Sequence, residues 1–287
     1  MNNDFQVKGA SYIGAPRNNT MMYISKKIEQ MLVNLQGHEN CLVFIENGIE
    51  VPKGLLEKNH FRFSDNPQLA YAKFATAYVE KKRREEQKLG YTLTDGGYYI
   101  GQNVVIGKNA YIEPGVIIGH DVIIGDNAVI LAGTVIKHAI IGNDFLCNEN
   151  AVIGDYSFTI AEDEKGNKYR IPSLGRVIIK NSVEIGACND VAMGACGDTI
   201  VEDFVKLDAL VHVGHEAHLG KNTEITAGVI VAGFVEMEEN SYIGINSSIR
   251  NRITLGANCV IGMGANVTKT VTPNTTVAGN PAKPFVK

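Results

Sequence analysis

A six-residue repeat constrains this chain more than any other feature. Every sixth residue from Val201 onward is apolar: Leu207, Val213, Leu219, Ile225, Val231, Met237, Ile243, Ile249, Leu255, Ile261 and Val267 complete an unbroken column of twelve. The next position is often small, as at Gly214, Gly220, Ala232, Gly244, Gly256 and Gly262. Small or β-branched residues recur four positions after each column residue, at Val205, Val211, Ala217, Thr223, Val229 and Val235. An amphipathic helix repeats near 3.6 residues and a half-buried strand at 2. A period of six fits neither and predicts a left-handed parallel β-helix, in which stacked coils share one apolar interior. Three hexapeptides per triangular coil place residues 18 apart above one another and give roughly nine coils.

The repeat begins near Gly97 and runs through Ile100, Ile106, Ile112, Ile118, Ile124, Ile130 and Ile136. It slips by one residue at Ile141. Residues 155–176 break it with a polar stretch, expected to leave the coil as a loop or hairpin. The period returns at Ile179, Ile185 and Val191, and Cys196-Gly197-Asp198 shifts its phase once more. Residues 1–95 lack the period and predict a separate small α/β domain. Its strands are expected at Ala10–Ile13, Met21–Ile24, Cys41–Ile45 and His60–Phe63. One helix follows a Ser25 cap, with Ile28, Leu32 and Leu35 on its apolar face and Gly37 at its end. A second follows Asn66-Pro67 with Ala70, Phe74, Ala77 and Tyr78 on one face. It runs into a charged stretch that reads as a solvated helix end and linker. Residues 96–287 form the β-helix domain.

Composition narrows the function classes. A net charge of −4 gives no case for general nucleic-acid binding. The start, MNNDFQVKGA, lacks an apolar signal core, and no apolar run approaches ~18 residues. A cytoplasmic protein without a membrane span is expected. Five cysteines make no CxxC pair, and Cys147 and Cys259 fall on inward repeat positions.

The chemistry-bearing stretch is Val211-His212-Val213-Gly214-His215-Glu216-Ala217-His218. Three histidines at spacings of three suggest a metal. In extended chain, however, residues three apart lie ~10 Å from each other, too far to share one ion. No metal is expected, although a zinc hydratase remains a competing reading. His215 suits a general base, since a neutral imidazole accepts a proton near pH 7. Gly233 lies 18 residues on, one coil above, where a glycine amide could donate to a developing oxyanion. On these residues alone, an exposed histidine without a role competes with the catalytic pair.

Residues 171–187, IPSLGRVIIKNSVEIGA, resemble the UDP-3-O-acylglucosamine N-acyltransferases of lipid A biosynthesis. So do Gly197-Asp198-Thr199-Ile200, Val205-Lys206-Leu207-Asp208-Ala209-Leu210-Val211 and, more weakly, FSDNPQLAYAKFA in the first domain. The resemblance matches the family's histidine to His215 and its oxyanion-donating glycine to Gly233. It departs at Ala192-Met193, where the family has an Asp-Arg pair, and at Asn251-Arg252, where it often has a second histidine. Tyr23 matches the first of two aromatics that hold the family's nucleotide base, but Glu29 stands at the second. The tail VAGNPAKPF resembles hexapeptide acetyltransferases that use coenzyme A rather than acyl carrier protein.

The resemblance therefore implies an N-acyltransferase of a nucleotide-linked amino sugar, either dTDP- or UDP-linked, with acyl-CoA as donor. Surface-polysaccharide or deoxysugar biosynthesis is the expected setting. His215 and Gly233 are the catalytic residues, and Tyr23, Asp208 and His212 the substrate-binding ones, with Asp208 orienting a histidine or meeting the sugar amine. Arg250, Arg252, Lys269 and Lys283 are expected at the coenzyme A phosphates. The fold implies a homotrimer. Competing functions are a lipid A enzyme using acyl carrier protein, the zinc hydratase, and a solenoid scaffold without activity.

Overall fold

A computed structural model describes residues 7–284. The first six residues of the start discussed above and the last three of the chain lie outside it. The chain divides into two compact units. The first holds residues up to 85 together with 158–175 and 195–197, and the second holds the rest.

In the second unit each hexapeptide contributes a strand of two to four residues, and the apolar column residue is the one that points inward. All twelve residues from Val201 to Val267 are buried. The strands stack into three parallel sheets of eight, ten and ten strands, each holding one antiparallel edge strand at most, which makes a left-handed parallel β-helix. The 18-residue offset holds from Leu207 to Val267, where Leu207 pairs Ile225, Ile225 pairs Ile243, and Ile243 pairs Ile261, and it shortens to 16 in the last coil, where Ile261 pairs Val277. The slip at Ile141 is a 17-residue offset, Ile124 to Ile141, and pairing stays parallel through it. Across the insertion Ile141 pairs Ile179, and across the shorter excursion Val191 pairs Val213. Peptide is thus extruded at corners while strand still meets strand.

Each corner turns through a residue at positive φ. Asparagine commonly takes that place, as at Asn222, Asn240, Asn246 and Asn258, with φ between 55° and 59°. Its short polar side chain tolerates the left-handed region. Cys147 and Cys259 are buried on the inside of the coil, and burial pushes the Cys147 thiol up to about 12.

The first unit is built on a four-stranded parallel sheet of Gly9–Ala10, Thr20–Ile24, Leu42–Glu46 and His60–Ser64. The first strand ends sooner than the expected Ala10–Ile13. The segment after Ser25 is 3-10 rather than α over Lys26–Leu35, and Ile28 breaks it at φ −129° and ψ 22°. Ser25 makes no side-chain cap bond, whereas Leu32 and Leu35 are buried as expected. A short helix at Lys53–Leu56 carries no periodic signal in the sequence.

The second expected helix runs from Pro67 to Glu86, and Asn66 Oδ1 caps it by accepting the Leu69 N–H at 3.0 Å. Its buried face is Tyr71, Ala72 and Ala75, rotated from the expected one, and Ala77 is exposed. Tyr71 sets this rotation by packing between Tyr23 and Phe44, at ring distances of 5.3 and 5.9 Å. The insertion forms an antiparallel hairpin of Ile160–Glu162 with Lys168–Arg170. Ala161 and Ile171 join Tyr71 and Phe44 in the first unit's core.

Candidate active site

The coil geometry builds the site at one corner of the second unit. Val213 points inward, so the chain turns at Gly214 and His215 follows at the corner. The imidazole is about one-fifth exposed, with its side chain at 19%. Its Nδ1 lies 2.5 Å from Glu216 Oε2, and that carboxylate is itself buried, with 6% exposure. A buried carboxylate is costly unless hydrogen-bonded. The Glu216 backbone N–H donates to Thr199 Oγ1 at 2.9 Å, and the Thr199 hydroxyl donates to the Ala192 carbonyl at 2.7 Å. Thr199 is fully buried, so it fixes the corner from below.

Gly233 lies directly against the imidazole. A Cβ on Gly233 would come 2.7 Å from His215 Nε2 and 2.8 Å from Cε1, so no larger residue fits without moving the ring. Among the described residues no acceptor takes the Gly233 N–H. Nδ1 is engaged by a carboxylate, and Nε2 is the ring nitrogen turned toward Gly233. The arrangement offers a base at Nε2, a carboxylate that stabilises the protonated ring, and an amide donor one coil away.

Three residues here were not singled out by sequence reasoning. Glu216, Phe234 and Thr199 each carry part of the support. A signal for the first two exists: Glu216, Phe234 and Arg252 take the left-handed corner place in three successive coils, with φ of 53°, 59° and 61°. A non-glycine residue there costs ~1–2 kcal/mol, less for asparagine. Strain of this kind gathers at functional sites. Phe234 meets the His215 ring edge-to-face at 5.3 Å and 87°, and the Arg252 guanidinium stands 4.0 Å over the Phe234 centroid.

The other expected residues fall at several places. His212 is on the outer face of the strand leading to the corner, with Nδ1 2.8 Å from Asp190 Oδ2. Asp208 occupies another corner, and its carboxylate accepts the Ala209 N–H at 2.7 Å. The carboxylate on His215 is that of Glu216. His218 lies between Glu236, at 3.1 Å, and Glu202, at 3.3 Å. The bond to Glu236 chiefly raises its pKa above the ordinary histidine value, burial opposes this, and Glu202 reinforces it. The three histidines therefore engage separate carboxylates, one each for His212 and His215 and two for His218. Among the described residues no three His, Cys, Asp or Glu side chains are placed to hold a metal ion. Arg250, Lys269 and Lys283 are exposed. Tyr23 is in the first unit, half-buried against Tyr71.

The bacterial transferase hexapeptide model, six repeats, matches residues 103–138 and 234–269. These two stretches carry hexapeptide repeats like those of the bacterial transferases that the model describes. Over 146 residues the chain is 33% identical to a UDP-3-O-acylglucosamine N-acyltransferase from Methylorubrum extorquens, covering 51% of the chain and 41% of that protein. A protein of the same name from a Caulobacter species is 35% identical over 147 residues, covering 51% and 43%. The chain thus spans less than half the length of these curated relatives. Among solved structures, a UDP-N-acetylglucosamine acyltransferase from Bacteroides fragilis superimposes with a TM-score of 0.59 at 26% identity, covering 67% of the chain and 73% of that one. The corresponding enzyme from Francisella novicida gives 0.60 at 23%, covering 66% and 68%, a likeness of fold. No helix among the described residues is long and apolar enough to cross a membrane.

Proposed function

We propose that the protein transfers an acyl group from acyl-CoA to the amine of a nucleotide-linked amino sugar. The observation that carries this reading is the His215–Glu216 pair set against the Gly233 amide. The amine nitrogen attacks the thioester carbonyl as His215 Nε2 accepts its proton. The Gly233 N–H donates to the oxyanion of the tetrahedral intermediate. Glu216 stabilises the imidazolium through Nδ1. Collapse expels the thiolate, which takes the proton back from His215, and leaves an amide. Acyl transfer to an amine needs no redox partner, and these three residues supply its proton and charge requirements.

The acceptor class rests on the relatives, which are named UDP-3-O-acylglucosamine N-acyltransferases. In this reading the first unit, with Tyr23, holds the nucleotide, and His212 and Asp208 face the sugar. Arg250, Lys269 and Lys283 are exposed cations for the donor's phosphates. A homotrimer is the assembly proposed from the solenoid type, with the protein working in the cytoplasm. The second reading is a lipid A pathway enzyme using acyl carrier protein, favoured by the names of the curated relatives.

A thermal-shift panel of UDP-sugars, dTDP-sugars and coenzyme A tests the ligand classes, since ligands of the native state raise the melting temperature. Thiol release from acyl-CoA and from acyl carrier protein, each with the amino sugar that binds, then separates the donors. Failure of every nucleotide sugar and of both donors would overturn the proposal.

A further inference from the structure

The hydrogen bond between Nδ1 and Glu216 constrains the His215 ring along the line joining them and least about that line. The coils above add a further constraint. Phe234 lies one coil over Glu216 on the same corner, and Arg252 one coil over Phe234. The Phe234 ring meets the imidazole edge-to-face at 5.3 Å, and the guanidinium of Arg252 covers the Phe234 face at 4.0 Å.

The backbone joins the same residues. The Phe234 N–H donates to the His215 carbonyl at 2.9 Å, and the Arg252 N–H donates to the Gly233 carbonyl at 3.2 Å. Both residues sit at positive φ, a place that asparagine or glycine takes at many corners and that Phe204 and Leu210 take at two others. Local preference is thus overridden by large side chains on the corner that carries the base.

We propose that Phe234, clamped by Arg252, is the positioning wall of the His215 imidazole, so that Arg252 acts on the reaction through Phe234. Glu216 sets which nitrogen is basic, and the wall sets where that nitrogen points. Through its own N–H, Arg252 also ties down the glycine whose amide faces the oxyanion. The inference rests on His215 as the base. It assigns Arg252 to support rather than to the donor's phosphates.

The test uses the full-length protein labelled with carbon-13 in histidine. The His215 Cε1–H signal is identified by its loss in His215→Asn. An aromatic ring 5.3 Å away displaces this signal, and Phe234→Leu should remove the displacement. Arg252→Gln should remove part of it and broaden the signal, and Arg252→Lys, which keeps a cation over the ring, should restore it. The other histidine signals serve as the folding control. With turnover measured, Arg252→Gln should lower kcat about 10-fold, the scale of a misplaced catalytic group, and leave both KM values nearly unchanged. An unmoved signal in Arg252→Gln, or a raised KM for acyl-CoA at intact kcat, overturns the proposal. The NMR arm needs no substrate. Full turnover in His215→Ala with the signal shifts as expected would therefore sink the base assignment and spare the clamp.

Discussion

The Cα of Gly233 rests on the His215 imidazole so closely that one added methyl group would come 2.7 Å from Nε2. Gly233→Ala therefore meets the far end of a movable side chain rather than a rigid wall. The fold should survive with a loss of about 1–3 kcal/mol, while the displaced base lowers turnover about 10²-fold. Melting temperature and kcat, read together, check this. Wild-type turnover in a folded Gly233→Ala protein would remove the pair from the mechanism.

His215→Ala should lower kcat by roughly 10²–10⁴, the usual worth of a general base. The loss should shrink as pH rises and more of the acceptor amine arrives unprotonated. A pH–rate profile of variant and parent measures both effects. Equal rates at every pH would mean that His215 moves no proton.

Glu216→Gln keeps the size of the buried side chain but removes the charge that stabilises the imidazolium. It should lower kcat about 10²-fold or more with little change in KM. Circular dichroism confirms the fold. A variant as fast as the parent would reduce Glu216 to a packing role.

Leu210 offers the opposite experiment. It is 63% exposed and holds a corner at φ 61°, outside the candidate site. Leu210→Asn should relieve ~1 kcal/mol of left-handed strain and raise the melting temperature by about 2–4 °C, at unchanged turnover. A fall in melting temperature would show that Leu210 is covered in an assembly. Phe234→Asn, made at a comparable corner, should instead lose activity.

His218 gives a pH dependence. Hydrogen bonds to Glu236 and Glu202 raise its folded pKa above the ordinary value of 6.5. The protonated form is favoured in the fold, so its contribution is complete below about 6.5 and fades as pH rises through the folded value. Urea unfolding of parent and His218→Gln should differ more at pH ~5.5 than at pH ~8.5. The reverse order would contradict the geometry around Glu236.

The apolar column is legible in the sequence because a coil's period is local, and all twelve of its residues from Val201 to Val267 are buried. The same period places Gly233 above His215. The support around the pair is harder to read. Thr199 meets Glu216 only because the short excursion after Val191 sets the two across a coil boundary. Asp208 attracts attention as a carboxylate near histidines, yet its own turn takes it up. Glu216, Phe234 and Arg252 are visible as departures from asparagine at corners, provided the corners are counted as well as the column. The face of the helix at Pro67–Glu86 turns on where Tyr71 lodges, which periodicity alone does not fix.

The unequal offsets between coils have a wider consequence. Val191 pairs Val213 across the short excursion and Ile141 pairs Ile179 across the long one, with the ladder continuing past both. The solenoid is indifferent to how much chain is spliced in at a bend. The residues that carry the base and its amide sit on adjacent coils, whose backbones are one strand spacing of about 4.8 Å apart, a gauge that no such splice alters. Recognition can thus be lengthened, swapped or grafted at the bends while the reactive gap keeps its width.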